Sequence, residues 1–412
     1  MKIWIFNNYN MLPEQGGLNR HYYFAKYLER MGHEPIVFVG SHPHNTSLQL
    51  IDGKEKFAIY QKEPFPWVLV KTCNYEGSKI KRAFSMFEYY FNTKKASKHF
   101  EKPDAIIGSS AHPLAALLAI RLGNKYGCKK IVEVRDLWPE SIVAYGVASK
   151  NNPVVKILYQ FEKWLYKKAD TIIFTMEGGK DYIIEKGWDI NHGGPVDLNK
   201  VHHINNGVDL EIFDYNKENF AIKDSDLDNP NFLKIIYMGS IRKANNLDLL
   251  LDLARQLSMP NVRFLIWGTG DYIQKIQERI EKEKISNVVL KGAVNKKCVP
   301  SIICKADFAL LNYEMHDIWK YGGSQNKLFE YFASSTPVIT NIHMGYDLLN
   351  RYRCGIYVDY SNACAAVEKF EKICSMPKEE YDELANNARK AAEDYDFRIL
   401  TEKLLNVING VL

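Results

Sequence analysis

The chain has 412 residues, which is too long for one compact hydrophobic core, so we expect two domains. Its composition, 46% hydrophobic and 25% charged, is that of an ordinary globular protein and argues against a disordered or fibrous class. The net charge of +5 is uneven: residues 1–200 hold 28 Lys and Arg against 20 Asp and Glu, and residues 201–412 hold 26 against 29. A basic first half attracts nucleic acid, an anionic membrane or a phosphorylated substrate, and charge alone does not choose among them.

Targeting patterns and cysteines bear on the compartment. The sequence has no run approaching the roughly 20 apolar residues of a membrane-spanning helix. The opening MKIWIFNN turns polar at Asn7, which predicts a buried first strand rather than a signal peptide. The seven cysteines are scattered without zinc-like spacing, which indicates reduced thiols and a cytoplasmic protein.

Short apolar runs alternate with amphipathic stretches along the first half. Strands rich in Ile and Val, separated by helices, are typical of a parallel sheet covered on both faces, so this half predicts a Rossmann-like α/β domain. The runs are IWIF, PIVFVG, DAIIGSS (104–110), KKIVEVRD (129–136) and DTIIFTM (170–176), with helices predicted near 19–31, 113–126 and 154–168.

A second series of the same kind follows the less periodic segment 190–231. We place the domain boundary in this segment, with a first domain at 1–205 and a second at 206–394. A last helix within 395–412 is expected to pack back on the first domain. The apolar runs of the second half are LKIIYMG (233–239), VRFLIWG (262–268), VVLKG (288–292), DFALLNY (307–313) and TPVITN (336–341).

The segment PEQGGLNRHYYFAKYL follows the first strand. Gly16 and Gly17 lie where the strand gives way to a helix, a place where backbone amides approach an anion, and Arg20 follows them. A plain tight turn explains the glycines as well. The pattern is not that of a nicotinamide dinucleotide site. His112, at a later strand end, either contacts substrate or is an ordinary loop histidine.

Two further strand ends carry candidate residues. EVRDLWPES puts Arg135 and Asp136 after an apolar strand, where they form either a substrate clamp or a local ion pair. GTGD puts Gly268 and Gly270 at the carboxyl end of a strand in the second half, where parallel sheets bind ligands, although a plain turn is equally consistent.

The most informative stretch is YGGSQNKLFEYFASSTPVI (321–339). A loop with Gly323 and Ser324 leads into a helix bearing Asn326, Lys327 and Glu330. The loop amides, the helix N-terminus and the lysine form a candidate diphosphate cradle, and Glu330 is suited to accept hydrogen bonds from ribose hydroxyls. The alternative is an i, i+3 pair of Lys327 and Glu330 on the helix surface.

Residues 71–102 interleave basic and aromatic side chains. Such a helix suits an anionic membrane surface, and the alternative is a core-facing helix with a solvated basic face. Nucleic-acid binding fits less well, because no nucleic-acid module is recognisable. The DSD at 224–226 resembles a metal motif, but we interpret its segment as a solvated linker and predict no metal site.

Taken in order, these segments resemble the family-4 retaining glycosyltransferases of the GT-B fold, in particular bacterial O-antigen and capsule enzymes similar to N-acetyl-fucosaminyltransferases. The matching pieces are GGLNRHYYFAKYLERMGHE, EVRDLWPES, NNGVD (205–209), YMGSIRKANNLDLLLDLA (237–254) and YGGSQNKLFEYFASSTPVI. The resemblance implies two facing, doubly wound Rossmann-like domains with a cleft between them. It also implies retaining sugar transfer from a UDP-linked donor without a metal or other cofactor.

The resemblance also suggests roles for single residues. Glu330 matches the second acid of the family's E-x7-E motif, and the first acid falls at Gly322. The family's diphosphate-neutralising charges align near Gly239-Ser240 and Asn246, where both are absent, so we expect Arg242, Lys243 and Lys327 to substitute. Residue patterns and resemblance together assign catalysis to Lys327, Arg242, Arg135 and Asp136, the donor nucleotide to Glu330, Asn326, Ser324, Gly323, Gly268, Gly270, Ser240 and Gly17, and the acceptor side to Gly16, Arg20 and His112.

The expected function is transfer of a HexNAc or deoxy-HexNAc from a UDP-sugar to a growing, lipid-linked surface glycan. The expected location is cytoplasmic, with residues 79–98 at the anionic inner face of the plasma membrane. Two alternatives stay open: a UDP-sugar epimerase or hydrolase of the same fold, and a degenerate protein that only binds a sugar nucleotide or a partner.

Overall fold

A computed structural model describes residues 1–43, 46, 48–60, 63–110 and 112–411, and for Lys79 it describes the backbone alone. The chain divides into two compact units. Unit 1 comprises Met1–Asn206 together with Phe397–Leu412, and unit 2 comprises Gly207–Asp396. This division lies one residue from the boundary expected between 205 and 206.

Unit 1 is built on one eight-stranded sheet. Its strands are β1 (Lys2–Phe6), β2 (Glu34–Gly40), β3 (Phe57–Tyr60), β4 (Trp67–Val70), β5 (Ala105–Ser109), β6 (Lys129–Val134), β7 (Thr171–Phe174) and β8 (Val201–His203). The order is β3-β4-β2-β1-β5-β6-β7-β8, and all neighbours are parallel except the β3–β4 pair. The sequence patterns missed β3, β4 and β8, which are only three or four residues long.

The helices of unit 1 begin and end at recognisable residues. They are α1 (Arg20–Arg30), α2 (Lys79–Ala96), α3 (Pro113–Tyr126), α4 (Glu140–Ala144), α5 (Pro153–Lys168) and α6 (Gly179–Glu185). Proline opens α3 and α5, because the first turn of a helix does not need its N–H. Gly127 ends α3 in the left-handed conformation at φ 65°. α3 packs against both α2 and α5, so these three helices form one layer on the sheet.

Unit 2 has a six-stranded parallel sheet in the order β11-β10-β9-β12-β13-β14. The strands are β9 (Leu233–Met238), β10 (Val262–Trp267), β11 (Val288–Gly292), β12 (Phe308–Leu311), β13 (Val338–Thr340) and β14 (Gly355–Tyr357). The helices are α7 (Leu210–Asn219), α8 (Leu247–Gln256), α9 (Ile273–Lys282), α10 (Val299–Ile303), α11 (Asn326–Ala333), α12 (Leu348–Tyr352), α13 (Ala363–Cys374) and α14 (Lys378–Asp394). This strand order is that of the doubly wound nucleotide-binding sheets.

A last helix, α15 (Phe397–Asn409), belongs to unit 1. The ring of Phe397 lies 4.9 Å from that of Tyr23 and 5.5 Å from that of Phe24, both on α1. The amine of Lys129 donates hydrogen bonds to the carbonyl oxygens of Val407 (3.0 Å) and Ile408 (2.8 Å). The end of the chain therefore completes the core of the unit in which the chain began.

The interpretation of the acidic segment as a solvated linker was wrong. The amine of Lys291 donates to the carboxylates of both Asp224 (2.8 Å) and Asp226 (2.6 Å), and Lys305 donates to Asp228 at 2.6 Å. Lys291 and its two partners are partly buried. The segment is therefore fastened to β11 by a partly buried ion-pair cluster, which local composition does not reveal.

None of the described helices is both long and apolar enough to cross a membrane.

Candidate functional site

The strand order of unit 2 reverses between β9 and β12, and ligands of doubly wound sheets bind at the carboxyl edge beside such a reversal. Tyr237, near the end of β9, donates its hydroxyl hydrogen to the carbonyl oxygen of Ser240 at 2.7 Å. The same hydroxyl oxygen accepts a hydrogen bond from the amine of Lys327 at 2.8 Å. One tyrosine thus joins the β9 loop to α11.

Lys327 brings an amine to this edge. Its Nζ lies 4.0 Å from the centre of the Tyr237 ring and 5.5 Å from that of Tyr313, which follows β12. Burial lowers the pKa of Lys327 to about 7, and the carboxylate of Glu330 opposes this shift. An amine whose pKa lies near 7 is partly neutral at neutral pH. It takes up a proton when an anion binds beside it, because the anion stabilises the charged form.

Close contacts explain why glycine occurs at two strand ends. A Cβ on Gly268, whose φ is +144°, would lie 1.7 Å from the carbonyl oxygen of Gly239. A Cβ on Gly239 would lie 3.0 Å from Nζ of Lys327. A side chain is also excluded at Gly270, since its Cβ would lie 2.0 Å from the carbonyl oxygen of Ile241. Because these three residues are glycines, the β9 and β10 loops can contact each other and the side chain of Lys327 has room beside Gly239.

The suggested surface pair of Lys327 and Glu330 does not form as such. Lys327 turns towards Tyr237, and Glu330 forms an ion pair with Lys296 instead. The side chain of Glu330 retains 18% of its exposure, so its carboxylate is still reachable. Lys296, Tyr237 and Tyr313 were missed by sequence reasoning, because nothing local marks them as neighbours of α11.

The remaining donor candidates of unit 2 lie around the same edge. Ser240 and Arg242 are exposed on the β9 loop, and the backbone N–H of Arg242 donates to the side-chain oxygen of Asn245 at 3.3 Å. Gly323, Ser324 and Asn326 are partly buried in the segment that enters α11. The structure therefore brings the unit 2 candidates together at one sheet edge, whereas Gly17, grouped with them from the sequence, belongs to unit 1.

Arg20, expected on the acceptor side, lies in a buried network of ion pairs and hydrogen bonds, and its contact with an acceptor stays a prediction. Its guanidinium donates to Glu133 at 2.7 Å, to the carbonyl oxygen of Ile204 at 2.8 Å and to the side chain of Asn206 at 3.2 Å. The Nε2 of His21 lies 2.7 Å from the other oxygen of Glu133. Burial alone would raise the pKa of Glu133, but Arg20 and His21 outweigh it and hold the pKa well below its usual value. This buried network fixes the start of α1.

The other candidates of unit 1 lie at the carboxyl edge of its sheet. Arg135 is partly buried, and its carbonyl oxygen accepts from the hydroxyl of Thr175 at 3.2 Å, while Asp136 is exposed. A Cβ on Gly16 would lie 2.8 Å from the end of Met11, so that glycine has a packing reason.

His112 is 1% exposed, and neither ring nitrogen has a hydrogen-bond partner among the described residues. Its ring centre lies 6.1 Å from that of Tyr9 and 5.3 Å from that of Tyr89. Burial lowers the pKa of His112 to about 3, so the ring is neutral. Buried polar atoms without partners are rare in folded proteins and call for a ligand or a bound water.

Within the described part of the chain, no three His, Cys, Asp or Glu side chains are grouped so that they would hold a metal ion.

Two family descriptions match adjacent parts of the chain. Residues 15–212 match "Glycosyltransferase Family 4" and residues 218–391 match "Glycosyl transferases group 1". The chain carries both domains of a family-4-type glycosyltransferase. In this glycosyltransferase the first match falls almost wholly within unit 1 and the second within unit 2.

A curated relative of this glycosyltransferase is the putative teichuronic acid biosynthesis glycosyltransferase TuaH of Bacillus subtilis. The two are 23% identical over 279 residues, and the alignment spans 66% of each chain. The glycosyltransferase thus spans about two thirds of the length of the relative that it matches.

Three solved structures have the same fold. Sucrose-phosphate synthase from Thermosynechococcus elongatus aligns with a TM-score of 0.72 at 15% identity, covering 100% of this chain and 98% of that one. Anabaena HepE in complex with UDP-glucose gives 0.67 at 13% identity and 100% of both chains. WaaG, a glycosyltransferase involved in lipopolysaccharide biosynthesis, gives 0.65 at 15% identity, covering 99% and 100%. These likenesses show the GT-B fold, with two Rossmann-like α/β units.

Proposed function

We propose that this glycosyltransferase takes its sugar from a nucleotide diphosphate sugar whose diphosphate binds at the Lys327 edge of unit 2. The observation that carries the proposal is the position of the Lys327 amine, 2.8 Å from the Tyr237 hydroxyl at the reversal of the strand order. A cation that faces the carboxyl edge of a parallel sheet is suited to a diphosphate. The solved structure of HepE contains UDP-glucose, which favours UDP as the nucleotide.

The proposed chemistry follows from the charge that builds up on the leaving group. As the bond between the sugar and the diphosphate breaks, negative charge grows on the departing phosphate. Lys327 and Arg242 would neutralise it together with the amides at the start of α11, and Glu330 would hold the ribose. The proposal includes retention at the anomeric carbon, no metal, and a HexNAc or deoxy-HexNAc as the transferred sugar.

The acceptor is proposed to bind at the carboxyl edge of unit 1. The strand order of that sheet also reverses, between β1 and β5, and Tyr9 and His112 follow these two strands. The unpartnered ring nitrogens of His112 give one donor and one acceptor for hydroxyl groups. Arg135 and Asp136 follow the next strand, β6, and would contribute charged groups to the same edge.

Nucleotide binding is the direct test of the proposed donor site. Thermal unfolding is measured with UDP, GDP and ADP for the native protein, Lys327→Ala and Glu330→Ala. A ligand at 100 times its Kd stabilises the folded protein by about 2.7 kcal/mol, so UDP is expected to raise the Tm of the native protein and to have little effect on Lys327→Ala. Lys282→Ala, which removes an exposed lysine from α9, is the matched control and should respond like the native protein.

Two outcomes would contradict the proposal. If no nucleotide stabilises the native protein, the donor site is absent. A degenerate protein that only binds a partner then becomes the better interpretation. If UDP binds but incubation with UDP-sugars releases free or epimerised sugar whether or not an acceptor is present, the protein is a hydrolase or epimerase of the same fold.

We further propose that the acceptor is lipid-linked and that α2 lies on an anionic membrane surface. Four large apolar residues of α2 recur at helical spacing along one side and face solvent: Ile80 (84% exposed), Phe84 (58%), Phe87 (53%) and Phe91 (56%). Exposed lysines flank this α2 stripe at positions 81, 94 and 95. The opposite side of α2 buries Tyr89 and Ala96, so the core does not need the stripe.

Vesicle flotation tests this location. The native protein should float with vesicles that contain phosphatidylglycerol and stay behind with pure phosphatidylcholine, and salt should weaken the binding. Phe84→Ser/Phe87→Ser should strongly reduce flotation without lowering the Tm, because both side chains are more than half exposed. Equal flotation of the native protein and this variant would overturn the proposal.

A further inference from the structure

A second apolar stripe lies on α5. Val154 is 61% exposed, Ile157 is 66% exposed and Trp164 is 37% exposed, and Phe161 is partly exposed between them. The rings of Phe161 and Trp164 stack with their centres 6.2 Å apart and their planes 15° apart. The spacing of three, four and three residues keeps these four side chains on one side of the helix.

This α5 stripe is not needed by the core of unit 1. The buried side of α5 consists of Val155, Tyr159, Glu162, Leu165 and Tyr166. An isolated exposed apolar residue is ordinary, but a run of four along one helix, including a tryptophan, marks an interaction surface.

The α2 and α5 stripes belong to the same layer. α3 packs against both helices, so α2, α3 and α5 lie side by side on one face of the sheet. Phe161 lines a small cavity with Pro113 at the start of α3 and with Trp138, so this part of the α5 stripe lies next to the start of α3. The two stripes therefore border one surface, with α3 between them.

The charges of this layer are almost all positive. The three helices contain eleven Lys and Arg and two Glu, of which Glu162 is buried. The exposed cations include Arg121 and Lys125 on α3, between the stripes, and Lys156, Lys167 and Lys168 on α5. A second copy of this chain would bring like charges together at this surface, whereas an anionic lipid surface complements both the cations and the apolar stripes.

We infer that unit 1 binds an anionic lipid surface through two contacts, the α2 stripe and the α5 stripe, on either side of α3. This inference rests on the membrane location proposed above and goes beyond it by adding a second contact on another helix. Two separated contacts define the orientation of unit 1 on the lipid surface, whereas a single amphipathic helix does not. The cations of α3 and α5 would then face the lipid phosphates.

The test uses the full chain and vesicles of phosphatidylcholine with phosphatidylglycerol. Val154→Ser/Ile157→Ser is expected to lower the partition coefficient about tenfold, because two exposed side chains no longer enter the apolar boundary. Its Tm should match that of the native protein, since both side chains are more than 60% exposed. Ile190→Ser, which changes a 58% exposed isoleucine elsewhere in unit 1, is the matched control and should partition like the native protein.

A second readout reports contact directly. Lipids brominated along the acyl chain should quench part of the tryptophan fluorescence of the native protein, and Trp164→Phe should remove part of that quenching. Unchanged partition of Val154→Ser/Ile157→Ser, or quenching that Trp164→Phe leaves untouched, would overturn the inference and leave the α2 contact standing. A change in oligomeric state of Val154→Ser/Ile157→Ser without vesicles would also overturn it, because the stripe would then be a contact between copies.

The failures of the separate proposals are distinguishable. If Phe84→Ser/Phe87→Ser also partitions like the native protein, the membrane location fails as a whole. The nucleotide test on Lys327 does not depend on vesicles, so sugar transfer is judged independently of either result.

Discussion

Single residues decide the electrostatics of the candidate donor site, and Lys327 is the clearest case. Burial lowers its pKa to about 7, so the unliganded protein holds a mixture of charged and neutral amine near neutral pH. Binding of a diphosphate favours the charged form. The contribution of Lys327 to UDP affinity should therefore be complete below pH 7 and should decline as the pH rises above 7.

Lys327→Arg tests this dependence, since an arginine stays charged throughout the range. The affinity of the native protein divided by that of the variant should fall by up to about tenfold per pH unit between about pH 7 and 9. The measurement is the Kd of UDP for both proteins from pH 6 to 9. The ratio removes the titration of UDP itself, so a ratio that stays constant with pH would contradict the lowered pKa.

Glu162 on α5 provides a stability prediction of the same kind. Burial raises its pKa to about 8, although the hydroxyls of Tyr166 (2.7 Å) and Tyr182 (2.8 Å) donate to the carboxylate and oppose the shift. The unfolded chain loses this proton near pH 4.3, so the folded state binds one proton more between about pH 4.3 and 8. The stabilising contribution is complete below pH 4.3 and is lost as the pH rises through 8.

Glu162→Gln should remove this pH dependence, because its amide does not ionise. Above pH 8 the variant should be more stable than the native protein by on the order of 1–3 kcal/mol. Urea unfolding at pH 5 and pH 9, followed by tryptophan fluorescence, measures the difference. The prediction fails if the native protein and the variant lose the same stability between the two pH values.

At the scale of elements, the contact between the β9 and β10 loops shapes the edge where α11 begins. Gly268→Ala would place a Cβ 1.7 Å from the carbonyl oxygen of Gly239 at a backbone φ of +144°. We expect a loss of roughly 2 kcal/mol or more in the stability of unit 2, together with weaker UDP binding. Gly17→Ala is the control, because a Cβ there meets nothing within 4 Å, and its stability should change by less than about 0.5 kcal/mol. Equal melting of both variants would show that the close approach is not needed.

At the scale of the whole molecule, α15 joins the end of the chain to the core of unit 1. Phe397→Ala removes a ring that lies within 5.5 Å of the rings of Tyr23 and Phe24, and we expect unit 1 to lose about 3–5 kcal/mol. A chain ending at Asp396 should lose amide protection throughout unit 1 and keep it in unit 2. Hydrogen exchange measures both. Full protection of unit 1 in the shortened chain would show that α15 is dispensable.

Much of this architecture and part of the candidate site could be predicted from the sequence alone. Alternating apolar runs and amphipathic stretches predicted Rossmann-like units, because burial on both faces of a parallel sheet requires strands rich in Ile and Val. Lys327 and Glu330 stood out because lysine and glutamate one turn apart follow a glycine-rich loop at a helix start. These patterns involve residues that are close together in the chain, so they can be recognised from the sequence alone.

Tertiary structure decided which side chains meet. Glu330 pairs with Lys296 and Arg20 with Glu133, across 34 and 113 residues of chain, and no local pattern encodes such partners. The direction of the α2 stripe was also undetermined, because α2 carries apolar residues on both sides and only packing shows which side covers the sheet. Periodicity shows that apolar side chains recur at a regular spacing. Whether a given side chain is buried, and which partner it contacts, depends on how the rest of the chain folds around it.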